Sequence, residues 1–154
     1  MAPTQLRTLL APVDFSDGSN DALAYATMLA QQFSATLIVL HIGPHVDPGA
    51  THHSARRDIY HKMREEEQRI GKLRLGELCD GIRESHPNVT IEPLFESGTP
   101  HDVICRLAIE RDAEMIVMAT NGLRGLSHFL IGSTAERVVR MSRIAVLTVR
   151  PGEK

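Results

Sequence analysis

A surplus of charge is the first thing this chain lacks: 17 lysines and arginines face 19 aspartates and glutamates, a formal charge of -2. A near-neutral surface has no excess of cations to displace counterions from a nucleic acid or to hold an anionic membrane, which removes both as principal partners. Cysteine is equally scarce. Cys79 and Cys105 are far apart and fit no paired metal or redox spacing, so a disulfide framework is excluded and both read as reduced core or boundary residues. Long apolar runs are missing as well. No window approaches a membrane span, and Met1 to Leu10 holds one arginine and a short apolar pair, too little for a signal peptide. The expectation is a cytoplasmic protein. There is no internal repeat, low-complexity tract or linker, so 154 residues predict a single domain over 1–154 that needs no disulfide or metal staple. Also absent is a Gly-x4-Gly-Lys-Ser/Thr loop, and with it the lysine and hydroxyl that serve triphosphate and Mg2+, so efficient phosphoryl transfer is not expected.

What is present alternates between two periods. The run 8–13 is short, mostly apolar and ends at Asp14, as a strand buried on both faces would. Ser16 then caps a helix from about Asn20 to Phe33, with its stripe at Leu23, Ala26, Ala30 and Phe33. Residues 36–42 form a second interior strand. Gly43, Pro44, Pro48 and Gly49 lead into a long charged helix with apolar residues at Ile59, Met63, Ile70, Leu73, Leu78 and Ile82. Gly71, Gly76 and Gly81 in that helix each cost about 1 kcal/mol against alanine and carry no assigned role. Residues 89–95 alternate and contain Pro93, which suits an edge strand. Thr99, Pro100 and Asp102 open a third helix, 115–119 is a fourth strand, Ser133 to Glu136 reads as a capping box opening a fourth helix, and 144–149 closes as a fifth strand.

Right-handed crossovers and this order of elements predict a doubly wound, five-stranded parallel α/β sheet of strand order 3-2-1-4-5. Its winding reverses between the first and fourth strands, and ligands bind at such a reversal. The strand ends meeting there are Pro12-Val13-Asp14 and Ala119-Thr120-Asn121-Gly122. A phosphate needs backbone N–H groups around a bend with no Cβ in the way, which Gly122, Gly125 and Gly132 can supply. Gly132 directly precedes the Ser133 cap, so the free amides of the next helical turn would face an anion. The alternative for these glycines is tight turns without a ligand. Asp14 can accept from ribose hydroxyls or an adenine amino group, or share a divalent ion with phosphates; its other reading is a helix-proximal acid. Arg124 reads as a solvated loop charge, and Ser127 and His128, adjacent in sequence, are poorly placed to act on each other. His41, His45, His52, His53 and His61 invite a metal reading, but no ligand spacing organises them, and His41 fits a packed position in the sheet.

The stretch Ala119-Thr120-Asn121-Gly122, nine further residues, then Gly132-Ser133 resembles the Gly-x2-Gly-x9-Gly-Ser/Thr signature of the ATP-binding branch of the universal stress proteins. Pro12-Val13-Asp14-Phe15-Ser16, Leu40-His41-Ile42 and Ala145-Val146-Leu147-Thr148-Val149 are similar to further landmarks of that family, so the resemblance spans the chain. It implies a small cytoplasmic homodimer, joined through its last strand, that binds ATP or AMP, with Mg2+ or Mn2+ as accompanying ion, and acts in stress response or signalling. Turnover would be at most slow. By position, Pro12, Val13, Asp14 and Ile42 would surround adenine and ribose, Ala119 and Gly122 would lie along ribose and phosphates, and Gly132, Ser133 and Thr134 would hold the phosphates. Ala119 stands where the signature has its first glycine, placing a methyl near the ribose, and Ile144 replaces a proline at little cost because a β-branched residue suits that site. The competing expectation is a dimeric interaction module of the same fold that binds no nucleotide.

Overall fold

The apolar runs become five strands, β1 Thr8–Val13, β2 Thr36–Gly43, β3 Thr90–Ser97, β4 Met115–Ala119 and β5 Ala145–Val149, alternating with helices α1 Asp17–Phe33, α2 Ser54–Ser85, α3 Pro100–Glu110 and α4 Ser133–Met141. They are seen in a computed structural model that describes residues 5–44, 54–121 and 131–150. All strand pairings are parallel and the order is β3-β2-β1-β4-β5, as the sequence predicts, with Pro93 on an edge strand where its missing N–H costs no ladder bond.

Strand side chains alternate between faces, and here both faces are dry. Leu9, Ala11, Val13, Leu37, Val39 and Val117 pack under α1 and α2, against Ala22, Leu23, Ala26, Ala30, Leu75 and Cys79. Leu10, Ile38, Leu40, Ile116 and Met118 pack under α3 and α4, against Val103, Ile104, Leu107, Ala135 and Val138. Full burial of each Leu or Ile contributes about 1.5–3 kcal/mol, so these two layers fix the register that places the strand ends. No helix among the described residues is long and apolar enough to cross a membrane.

Local chemistry moves several boundaries. Helix α1 starts at Asp17, ahead of the expected Asn20, because Ser16 caps it: the Ser19 amide donates to Ser16 Oγ at 3.1 Å. Strand β3 runs to Ser97 because its pairing with β2 continues to Gly43. Ile144 falls outside β5, with both its N–H and its carbonyl held by the Ser142 hydroxyl at 3.0 and 2.8 Å. The capping box at Ser133 is not formed. Gly132 takes the N-cap position with φ -61° and ψ 150°, which leaves Ser133 as the first helical residue, and no side chain caps the helix.

Helix α2 buries only part of its expected apolar stripe. Leu75 and Cys79 are buried and Leu78 and Ile82 pack against them, whereas Ile59, Met63, Ile70 and Leu73 are exposed. Its 32 residues span about 48 Å, and Gln68 already reaches Ser97 at the end of β3, so the first turns of the helix stand beyond the sheet. Gly71 has a role that spacing alone did not reveal: a Cβ there would lie 2.9 Å from the Phe95 ring and 3.2 Å from His41. Gly76 and Gly81 face open space.

Candidate functional site

The winding reversal lies between β1 and β4. β1 pairs with β2 along all six of its residues, but its pairing with β4 covers only Leu9 with Met115 and Leu10 with Ile116. Beyond those pairs the ladder stops, and Pro12, Val13 and Asp14 on one side and Ala119, Thr120 and Asn121 on the other end neighbouring strands at the C-terminal edge of the sheet, where a winding reversal of this kind leaves a crevice. Ile42 stands one strand further along the same edge, since His41 pairs with Val13.

On the β1 side, Asp14 is tied into the start of α1. Its Oδ1 accepts from the Ser16 amide at 3.0 Å and the Ser16 hydroxyl at 2.5 Å, and its own amide donates to Ser19 Oγ at 3.3 Å. The helix-proximal role is therefore present in full, and it fixes the direction of the carboxylate. Between Asp14 and Ser16 sits Phe15 with φ 63°, a left-handed conformation that costs a residue with a Cβ about 1–2 kcal/mol. The Phe15 ring lies 4.2 Å from the Arg74 guanidinium and 4.3 Å from the His41 ring. His41 Nδ1 meets the Val13 carbonyl at 2.9 Å. A carbonyl only accepts, so that nitrogen carries the proton, in keeping with the packed reading of His41. Among the described residues no group of three or more His, Cys, Asp or Glu side chains could hold a metal ion; His45, His52 and His53 lie outside them.

The β4 side is closed by a backbone clasp. Thr120 donates its N–H to Val149 O at 2.9 Å and accepts from the Gly132 amide at 2.7 Å, which brings the start of α4 to the end of β4. A Cβ on residue 132 would lie 3.1 Å from Thr120 O, tighter than ordinary contact. Glycine is favoured here by this close approach and not by its dihedrals. Gly132 spends its own N–H on Thr120, so it is not itself an anion donor. The first intrahelical bond runs from the Glu136 amide to Gly132 O at 2.9 Å, which leaves the amides of Ser133, Thr134 and Ala135 without intrahelical acceptors at the positive end of the helix.

Two further features mark the end of β4. Ala119 is partly buried and packs against the α1–α2 core. Asn121 Oδ1 is buried without a hydrogen-bond partner among the described residues, directly at the rim of the crevice. A buried amide oxygen left unpaired costs about 1–3 kcal/mol, and it asks for a donor. Nothing in the sequence marked it beyond its place after a buried strand. Gly122, Gly125, Arg124, Ser127 and His128 lie outside the described residues. Burial, opposed by nearby Arg83, pushes the Cys79 thiol up to about 11, and burial moves Cys105 the same way, both away from the thiolate form.

The universal stress protein family model matches residues 5–150. Universal stress protein MJ0531 of Methanocaldococcus jannaschii is 29% identical over 151 residues, covering 96% of this chain and 84% of that one. Among solved structures, UspA from Lactobacillus plantarum superposes with a TM-score of 0.82 at 21% identity, covering 96% of this chain and all of that one. A universal stress protein in complex with cAMP superposes with a TM-score of 0.64 at 25% identity, over 97% of this chain and 100% of that one. A match over nearly the whole length, on a sheet of the same strand order, makes this chain a member of the universal stress protein family.

Proposed function

We propose that the β1–β4 crevice binds an adenine nucleotide, ATP or AMP, with Mg2+ or Mn2+ as accompanying ion, and that this single-domain chain works in the cytoplasm as a nucleotide-dependent dimeric module in stress response or signalling. The observation that carries the reading is the clasp at Gly132. It sets the free amides of Ser133, Thr134 and Ala135 beside the end of β4 and holds residue 132 so close that a Cβ would lie 3.1 Å from Thr120 O. Asn121 Oδ1, buried at the end of β4 without a partner among the described residues, adds an acceptor whose donor a nucleotide could supply. The related protein crystallised with cAMP lends support from outside the chain.

In this reading Pro12, Val13, Asp14 and Ile42 flank base and sugar, Ala119 and Gly122 line the path to the phosphates, and Ser133 and Thr134 hold the phosphates while Gly132, its own N–H given to Thr120, sets the helix start against β4. A divalent ion would neutralise phosphate charge when bound. No lysine-bearing phosphate loop is present, so the protein acts by occupancy, with at most slow ATP turnover. Dimerisation is assigned to β5, an edge strand whose Leu147 is 36% exposed and which lies beside the exposed Val139 and Met141 of α4. A dimeric interaction module without nucleotide is the second reading, favoured by the commitment of Asp14 Oδ1 to its own turn.

The deciding experiment is calorimetry of the purified protein with ATP and with AMP, with and without MgCl2, beside the absorbance released on denaturing the protein as isolated. Saturable binding with one site per chain is expected. No heat at millimolar nucleotide and no released chromophore would leave the interaction module as the function.

A further inference from the structure

Phe15, which follows Asp14, is held against its own backbone preference. Its φ of 63° lies where a bulky L-residue rarely sits, and the bend it makes brings the Ser16 amide and hydroxyl back onto Asp14 Oδ1 at 3.0 and 2.5 Å. Two groups from other elements grip the ring. Arg74 of α2 places its guanidinium 4.2 Å from the ring centre, and the His41 ring of β2 lies 4.3 Å away, itself anchored on the Val13 carbonyl at 2.9 Å. Relaxing Phe15 to an ordinary φ swings the ring out of this grip and releases the turn that aims the Asp14 carboxylate.

We propose that Arg74 is a positioning residue: by stacking on Phe15 it keeps the Asp14 turn in its binding geometry, so that α2 sets the affinity of the crevice. The proposal rests on the nucleotide reading above and adds to it a control point on a helix that does not border the crevice. Apparent affinity scales with the fraction of molecules in the competent geometry. A cation–π contact at an exposed site corresponds to about a two- to fivefold change in that fraction.

Four variants test this: Arg74→Ala, Arg74→Lys, Phe15→Gly and the double change Phe15→Gly with Arg74→Ala. ATP affinity is read by calorimetry and the turn itself by amide hydrogen exchange at Ser16, with Leu10 as the core reference. Arg74→Ala is expected to weaken ATP binding about two- to fivefold and to speed exchange at Ser16 but not at Leu10. Arg74→Lys, which keeps a cation over the ring, stays within about twofold of wild type. Glycine adopts the left-handed turn without strain, so in the Phe15→Gly background the loss of Arg74 changes neither readout. An Arg74→Ala protein with wild-type affinity, or one that loses as much in the Phe15→Gly background, overturns the proposal. A wild-type protein that takes up no ATP removes the nucleotide reading, and the Ser16 exchange then decides the clamp alone: unchanged exchange in Arg74→Ala refutes it, and faster exchange only when Phe15 is present upholds it.

Discussion

Substitution of Gly132 separates the phosphate cradle from the fold that carries it. The backbone at Gly132, φ -61° and ψ 150°, is open to any residue, so alanine or valine meets no dihedral strain. The whole effect is steric. The added Cβ starts 3.1 Å from Thr120 O, the same oxygen that accepts the residue's own N–H at 2.7 Å, and neither backbone group can retreat without lengthening that bond. Alanine needs a shift of a few tenths of an ångström, and overpacking of that size costs about 1 kcal/mol, partly offset by the lower entropy of the unfolded chain. Valine adds two methyls at the mouth of the crevice and displaces the start of α4. Losing one amide–phosphate hydrogen bond there costs about 1.5–3 kcal/mol, a loss of affinity of about 10- to 150-fold. Calorimetry with ATP and urea denaturation on wild type, Gly132→Ala and Gly132→Val should therefore show affinity falling in that order while stability falls by no more than about 3 kcal/mol. A valine variant that binds ATP like wild type refutes the cradle.

Other outcomes follow from equally local features. Glu114 accepts from the Thr8 and Arg7 amides at 2.7 and 3.0 Å, and although burial works to raise its pKa, these hydrogen bonds hold the carboxyl below its ordinary 4.5. A depressed folded-state value stabilises the protein above pH 4.5, and that stabilisation is lost as pH falls through the lower folded value. Glu114→Gln should cost about 1–3 kcal/mol near neutrality and flatten the acid limb of a stability–pH profile. Gly71→Ala forces a methyl to within 2.9 Å of Phe95 and should lower the melting temperature, whereas Gly76→Ala and Gly81→Ala, in open space, should raise stability by about 0.5–1 kcal/mol each. Leu147→Asp on the edge strand should convert the proposed dimer to monomer by sedimentation equilibrium while the circular dichroism spectrum is kept.

Much of the fold was legible because burial on both faces leaves an unmistakable record. Runs such as Leu37 to Leu40 are apolar at every position only when helices cover both sides, and the order of such runs then leaves few topologies. Proline at position 93 marked the edge because it has no N–H to give a second neighbouring strand. Helix starts were less secure, since Ser133 and Gly132 are both acceptable caps and the choice was made by a contact with Thr120, far away along the chain. The site was legible where backbone chemistry dictates residue type, as at Gly132. It was not legible where a side chain is held by partners remote in sequence. Phe15 gives no sign of a left-handed backbone, because it is held by Arg74, His41 and the α1–α2 core, and the role of Gly71 shows only where β3 brings Phe95 beneath it.

The two sides of the crevice are built from different materials, and a ligand should feel them separately. The α4 side offers main-chain amides, which recognise an anion and carry no information about what bears it. The β1 side offers a carboxylate and the neighbouring Ile42, which the proposed function assigns to sugar and base. Asp14→Asn keeps the Oδ1 acceptor that Ser16 requires and removes the charge, so the variant tests recognition with the turn kept. If Asp14 contacts sugar or base, this variant should weaken adenosine and ATP by the same factor, about tenfold for one charge-assisted hydrogen bond. Gly132→Val should weaken ATP while sparing adenosine, which has no phosphate to lose. Titration of both ligands against both variants, with and without MgCl2, distinguishes the roles. An Asp14→Asn protein that binds adenosine like wild type and loses ATP only when MgCl2 is present would move Asp14 from the nucleoside to the metal ion, and the base would then have to be read by β2 alone.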